Sequence, residues 1–157
     1  MATAILVAAC LTAVPAAAAV WWLRRTLVLV RVDGPSMAPT LVDGDRVLAR
    51  RIGPGRARRG RLVLLAPPAE PGAVRPTDPG RLWLVKRLRA TAGDPVPAEF
   101  AGLPAFGGVR TVPAHHVLVV GDNPDESYDS RQEGFVPQSR LRAVVVRRID
   151  MGGTGDA

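Results

Sequence analysis

The chain is short of cysteine, lysine, histidine and aromatic residues, and each shortage excludes something. Its 157 residues contain one cysteine, Cys10, so no intrachain disulfide can form. The two histidines, His115 and His116, are adjacent, and one cysteine beside them makes no cluster of zinc-ligand spacing. One histidine is expected to face inward and the other outward, with no metal or cofactor assigned to either. Phe, Trp and Tyr make up 4% of the chain, few to interleave with cations in a nucleic-acid groove. The net charge is nevertheless +7, and of the 21 Lys and Arg residues all but Lys86 are arginine. These arginines are dispersed through a composition rich in Ala, Gly and Pro, a bias that explains the charge without a nucleic-acid partner. The one local cluster, Arg56, Arg58, Arg59 and Arg61, reads as a solvated loop or a contact with lipid headgroups. Lys86 is more informative. Arginine stays charged under all ordinary conditions, whereas a buried lysine can lose its proton and act as a base.

Residues 1–23, "MATAILVAACLTAVPAAAAVWWL", carry no charged side chain, a length that can span a bilayer as a helix. Trp21 and Trp22 followed by Arg24 and Arg25 have the pattern of an interfacial anchor. The competing reading is a cleaved signal peptide, since "AVPAAAA" offers small residues at suitable spacing. A basic region before the apolar run is missing, and the aromatic and basic anchor follows the small residues, which favours a retained transmembrane helix over residues 1–25.

Beyond residue 25 the pattern changes to short apolar runs broken by Gly and Pro. Strands are predicted in "TLVLVRV" (26–32), "DRVLARRI" (45–52), "RLVLLA" (61–66), "RLWLVKRLRA" (81–90), "HVLVVG" (116–121) and "LRAVVVRRI" (141–149). The stretches "GPGRARRG", "PPAEPGAVRPTDPG" and "PVPAEFAGLPAFGG" have the chemistry of turns and loops. No repeat and no long amphipathic helix follows residue 25. The expected architecture is mostly β, an antiparallel sheet or barrel-like fold over residues 26–150, with 151–157 as a disordered tail.

Three stretches carry chemistry. In "GPSMAPTL" (34–41), Pro35 and Pro39 stiffen the backbone on either side of Ser36, and Gly34 tolerates unusual dihedrals. The result is an irregular loop presenting a hydroxyl, which taken alone is also an ordinary surface turn. "VKRLRATAGD" (85–94) places Lys86 in an apolar strand that can bury it. "GDNPDESYDSR" (121–131) concentrates polar side chains, and alone it reads as a solvated charged turn.

In this order the three resemble the motifs of the type I signal peptidases, membrane-bound Ser/Lys serine peptidases, over about residues 30–149. The resemblance is to the compact Gram-positive and organelle-type forms, because the region between the second and third motifs is short. It implies that Ser36 is the nucleophile and Lys86 the general base. A serine hydroxyl needs a neighbouring base, and lysine serves only as the neutral amine, in a desolvated position expected to lack a nearby carboxylate. Ser127 matches the family position whose hydroxyl orients the lysine amine. Asp129 and Arg131 are expected to form a structural ion pair, with Asp122, Asn123 and Ser130 filling the rest of the motif. Some members have a serine at the position of Gly34 that assists the oxyanion hole. Here stabilisation falls mainly to backbone N–H groups, including that of Ser36. Pro124 stands where a basic residue is common, and Arg61 where the family usually shows Asp; neither change removes a group from the dyad.

The resemblance implies a membrane-anchored endopeptidase that removes signal peptides from preproteins with small residues before the cleaved bond. Its partners would be those preproteins and membrane lipid, without nucleic acid or cofactor. A dedicated maturation protease acting on one client precursor is the related alternative. A non-catalytic basic module binding anionic lipid or nucleic acid is the alternative of another class. A self-cleaving Ser/Lys repressor would need a DNA-binding domain, and residues 1–33 offer none. The expected location is a bacterial cell membrane, single-pass, with the catalytic domain extracytoplasmic. Arg24, Arg25 and Arg31 just after the apolar run oppose that orientation by positive-inside counting, a rule that weakens for a domain exported as a unit.

Overall fold

The computed structural model describes residues 2–53, 55–68 and 83–149, with the side chains of residues 2–13 left outside the description. Helix α1 runs Ala2–Thr26 and continues through Pro15. Among the described residues no helix is long and apolar enough to cross a membrane. Residues 2–26 are helical, but the membrane span expected there is not shown, and Cys10 and the other side chains up to residue 13 fall outside the description. The proposed tail, 151–157, and most of the "PPAEPGAVRPTDPG" stretch also lie outside it.

After α1 the chain builds one seven-stranded antiparallel sheet: β1 Leu27–Arg31, β2 Arg46–Arg51, β3 Leu62–Leu65, β4 Leu84–Thr91, β5 His116–Val120, β6 Val136–Pro137 and β7 Leu141–Ile149. The order across the sheet is β1-β2-β7-β3-β4-β5-β6. Five strands fall within the predicted runs and β4 overruns its run by one residue, Thr91; β6, two residues ending in a proline, has no apolar alternation to reveal it. In β7, Leu141, Ala143 and Val145 are buried while Arg142, Arg147 and Arg148 are exposed. Such alternation is what a half-buried strand requires. In β5, Val117, Leu118 and Val119 are all buried, as in a strand covered on both faces.

Adjacent strand residues feed different parts of the core. Val30, Val47, Leu64, Val85 and Val145 pack in one cluster, and Val63, Leu65, Leu88, Val119 and Leu141 in another. The 95–108 stretch, read from sequence as loop, holds a small core of its own. Phe100 and Phe106 are buried with ring centroids 5.2 Å apart, and Phe135 meets Phe106 edge-on at 5.0 Å. Two single-turn helices, Ala98–Phe100 and Pro104–Phe106, make this possible by turning both rings inward. His115 is exposed and His116 half-buried, as expected.

Candidate active site

The loop between β1 and β2 is held by its apolar residues. Met37 is 1% exposed and Leu41 3%, both in the cluster with Val30 and Val85, so Ser36 sits half-buried immediately before a side chain locked in the core. Gly34 adopts φ 85°, a left-handed conformation that favours glycine. Its N–H donates to Asp43 Oδ1 at 2.8 Å, so Gly34 shapes the loop and its donor is already occupied. Ala38 N–H donates to the Pro35 carbonyl at 3.0 Å and Leu41 N–H to that of Met37 at 2.9 Å, completing a tight turn.

The residues of the third motif close on this loop. Asn123 donates its backbone N–H to the Ser36 carbonyl at 3.1 Å and its side-chain amide to that of Pro35 at 3.3 Å. A Cβ placed on Gly121 would lie 2.2 Å from Ser127 Oγ and 2.5 Å from the Ser36 carbonyl oxygen. Only glycine lets the two serines converge there. Asp122 takes a bidentate grip from Arg87, Nε at 2.7 Å and a terminal nitrogen at 2.5 Å. The Arg87 guanidinium also donates to the Gly60 carbonyl at 2.8 Å and the Thr40 hydroxyl at 3.4 Å, tying three loops to β4.

Lys86 lies on β4, 5% exposed, opposite Val63 of β3. Its Nζ donates to Ser127 Oγ at 2.8 Å, and Ser127 donates in turn to Asp129 Oδ2 at 2.7 Å. An ionised carboxylate only accepts, which fixes the direction of this chain. Burial depresses the lysine pKa below its ordinary value; Asp129 pushes it up and Arg131 pushes it down. The expectation of no nearby carboxylate is corrected here: Asp129 is present at one remove, its charge met by Arg131 at 2.6 Å.

The expected Asp129–Arg131 pair exists, yet Asp129 does more. Its side chain is fully buried and also accepts the Gly121 N–H at 2.8 Å. Burial alone would raise its pKa, but the Arg131 guanidinium, the Gly121 and Arg131 N–H groups and the Ser127 hydroxyl outweigh it and hold the carboxyl below its usual range. Asp129 also caps the short helix α2, Ser130–Glu133, with Gln132 answering in a capping box. Ser130 Oγ, fully buried, accepts from the Val119 N–H at 3.0 Å and fastens the cap to β5.

Lys86, Ser127, Asp129 and Arg131 thus form one connected network, against which Asn123 and Gly121 hold the Ser36 loop. The Ser36 hydroxyl itself makes no hydrogen bond among the described residues, and catalytic hydrogen bonds often tighten only when substrate is present. Sequence reading assigned no site role to Gly121, Arg87 or Gln132. Gln132 had a visible signal, standing three residues after an Asp at a helix start. Arg87 and Gly121 stand inside the quoted motifs, but their roles were not readable because their contacts join segments distant in sequence. Among the described residues no three His, Cys, Asp or Glu side chains gather to hold a metal ion.

The family model described as signal peptidase, peptidase S26, matches residues 4–103 and 97–149 of the chain. The chain is 32% identical over 132 residues to the mitochondrial ATP-independent inner membrane protease subunit 1a of Arabidopsis thaliana, covering 80% of this chain and 72% of that protein. It is 29% identical over 127 residues to the mitochondrial inner membrane protease subunit 1 of Homo sapiens, covering 77% and 68%. A probable signal peptidase I-2 of Synechocystis is 32% identical over 129 residues, covering 70% and 57%.

Proposed function

Because the chain belongs to the signal peptidase family, peptidase S26, and is a serine-type endopeptidase, we propose that it is membrane-anchored and removes signal peptides from exported preproteins with a Ser36/Lys86 dyad. The observation that carries this reading is the buried hydrogen-bond chain from Lys86 through Ser127 to Asp129. Ser127 gives its proton to the hydrogen bond with Asp129, so toward Lys86 it can only accept. A neutral Lys86 gives one N–H to Ser127 and keeps its lone pair for the Ser36 proton. Ser36 Oγ then attacks the scissile carbonyl, and the developing oxyanion meets the Ser36 N–H, which has no acceptor among the described residues. The lysine returns its proton to the departing amine, and the acyl-enzyme forms. Water, deprotonated by the same amine, releases the product.

The anchor in this proposal is α1. Its 25 residues reach about 37 Å as a helix, longer than the roughly 30 Å apolar core of a bilayer. Residues 1–23 are uncharged, and Arg25 stacks over Trp21 at 4.4 Å at the end expected in the interface. Membrane location also agrees with the inner-membrane names of the mitochondrial relatives, and the domain after α1 is proposed to lie outside the cytoplasm of a bacterial cell. Incubating the purified chain with a labelled preprotein and mapping the new N-terminus tests the activity. A new terminus after small residues supports it, and no cleavage by the wild-type chain refutes it. The division of the relatives' names between inner membrane protease subunits and signal peptidases favours a second reading, a dedicated protease with a single client. A panel of preproteins separates the two.

A further inference from the structure

Six exposed arginines gather at one end of the sheet, and none has a carboxylate partner among the described residues. Strand pairing brings them together. Arg24 and Arg25 end α1, and β1 begins directly after it with Leu27 opposite Arg50. Arg51 lies opposite Ala143, the Ile52 N–H donates to the Arg142 carbonyl, and Arg56 follows within the same connection. Arg142 and Arg50, which faces Val144, therefore lie on one face of the sheet at this end, and Arg51, opposite Ala143, lies at the same end on the other face. The far end of the β1–β2 hairpin is mixed in charge: Arg31 lies opposite Arg46 beside Asp33, Asp43 and Asp45, and Arg148 pairs with Asp45.

The apolar groups beside the basic rim narrow its partner. Trp21 and Trp22 are 58% and 60% exposed on the last turns of α1, and Leu29 and Val146 stand exposed on β1 and β7. Cations rimming exposed tryptophan and aliphatic side chains suit the boundary between headgroups and acyl chains. A nucleic-acid groove would need aromatic residues interleaved with the cations along a track, and β2 and β7 supply none.

We propose that the rim formed by Arg24, Arg25, Arg50, Arg51, Arg56 and Arg142 docks on anionic phospholipid headgroups and seats the sheet on the membrane surface with its basic end down. This inference rests on α1 being the membrane anchor and is independent of the catalytic assignment. The test uses the full chain in nanodiscs of phosphatidylcholine alone or with added phosphatidylglycerol, with arginine-selective phenylglyoxal labelling read residue by residue by mass spectrometry. The rim arginines should label about five-fold more slowly in the anionic discs, the preference expected of one arginine at an anionic surface, while exposed Arg110 is unchanged. The protection should fade as salt rises. In the variant Arg50→Gln/Arg142→Gln, protection of Arg51 and Arg56 should weaken while the melting temperature stays the same. Equal labelling in the two discs, or equal protection of Arg110, overturns the proposal. So does the same protection produced in phosphatidylcholine discs by inorganic phosphate or by RNA. Preprotein cleavage in the phosphatidylcholine discs is scored separately, so loss of the lipid effect and loss of the peptidase reading are distinct results.

Discussion

Substituting Gly121 by alanine adds one methyl group where the structure has no room for it. The new Cβ would stand 2.2 Å from Ser127 Oγ, 2.6 Å from Ser127 Cβ and 2.5 Å from the Ser36 carbonyl oxygen. Two of these three atoms are a backbone oxygen and a Cβ, which cannot swing aside as the tip of a long side chain can. The Gly121 backbone is not in the left-handed region, so the effect is steric alone. Overpacking of this kind costs about 1–3 kcal/mol, and the hardness of the contacts places Gly121→Ala near the upper end. For a domain of this size that lowers the melting temperature by about 6–12 °C. Relief by moving Ser127 would pull it from Lys86, and a misplacement of about 1 Å at a catalytic group costs on the order of 100-fold in kcat/KM. The assay is thermal unfolding paired with preprotein cleavage, using Gly53→Ala as control. That glycine is exposed, a methyl added to it would meet nothing within 4 Å, and the change should stay within about 0.5 kcal/mol. A Gly121→Ala protein with native melting temperature and turnover would refute the convergence of the two serines. Lower stability with undiminished turnover of the folded fraction would remove Ser127 from the machinery.

Ser36→Ala should abolish cleavage while leaving the fold intact, and Lys86→Arg should be as inactive as Lys86→Ala, because arginine cannot give up its proton; near-native turnover by Lys86→Arg would end the dyad assignment. Cleavage should rise with pH through a lysine pKa below the ordinary 10.5. The unfolded chain holds that proton to higher pH than the folded one, so Lys86 also makes stability rise between its folded pKa and 10.5. Asp129 acts at the other end: its contribution is present above 3.8 and lost as pH falls through its lower folded value, which denaturation at a series of pH values would show. Arg87→Lys should lower kcat more than it raises KM, since lysine cannot hold the Asp122 carboxylate bidentately while also reaching Gly60 and Thr40; unchanged kinetics would show that the three loops keep their places without it.

Six of the seven strands were legible because their apolar runs are bounded by Gly and Pro, whose effect on the backbone is local. β6 was not, since a two-residue strand ending in Pro137 is defined by its partner β5 and by nothing in its own pattern. The Phe100–Phe106–Phe135 cluster was hidden for a related reason: proline- and glycine-rich sequence signals turns but not the direction in which a turn sends a ring. At the site, Ser36, Lys86 and Ser127 were named from the resemblance of three ordered motifs, to which their residue types add only chemical suitability. The means of holding them could not. Met37 reads as one more apolar residue until the core closes over it, and Gly121 as one more turn glycine until two segments meet across it.

The largest departure from expectation is the carboxylate near the lysine, and it leads to a prediction about Arg131. A lone Asp129 beside Lys86 would stabilise the ammonium and weaken the lysine in its proposed role as base. Two features prevent this. Ser127 stands between them, so the lysine meets a hydroxyl, and Arg131 grips both Asp129 oxygens, Nε to Oδ1 at 2.9 Å and a terminal nitrogen to Oδ2 at 2.6 Å. The arginine thereby acts on Lys86 from a distance, opposing in part the pull of the group that orients Ser127. Arg131→Met should therefore shift the rise of cleavage to higher pH, since Asp129 would then act on Lys86 without its counter-charge. Adding Asp129→Asn should move the rise back down, although the protein loses the ion pair and stability with it. A purely structural pair would behave otherwise: both variants would lose activity in proportion to unfolding, with the pH profile of the folded fraction unmoved. Measuring kcat/KM against pH for the wild type, the single variant and the double variant distinguishes these outcomes, and an unmoved profile in Arg131→Met would refute the electrostatic role.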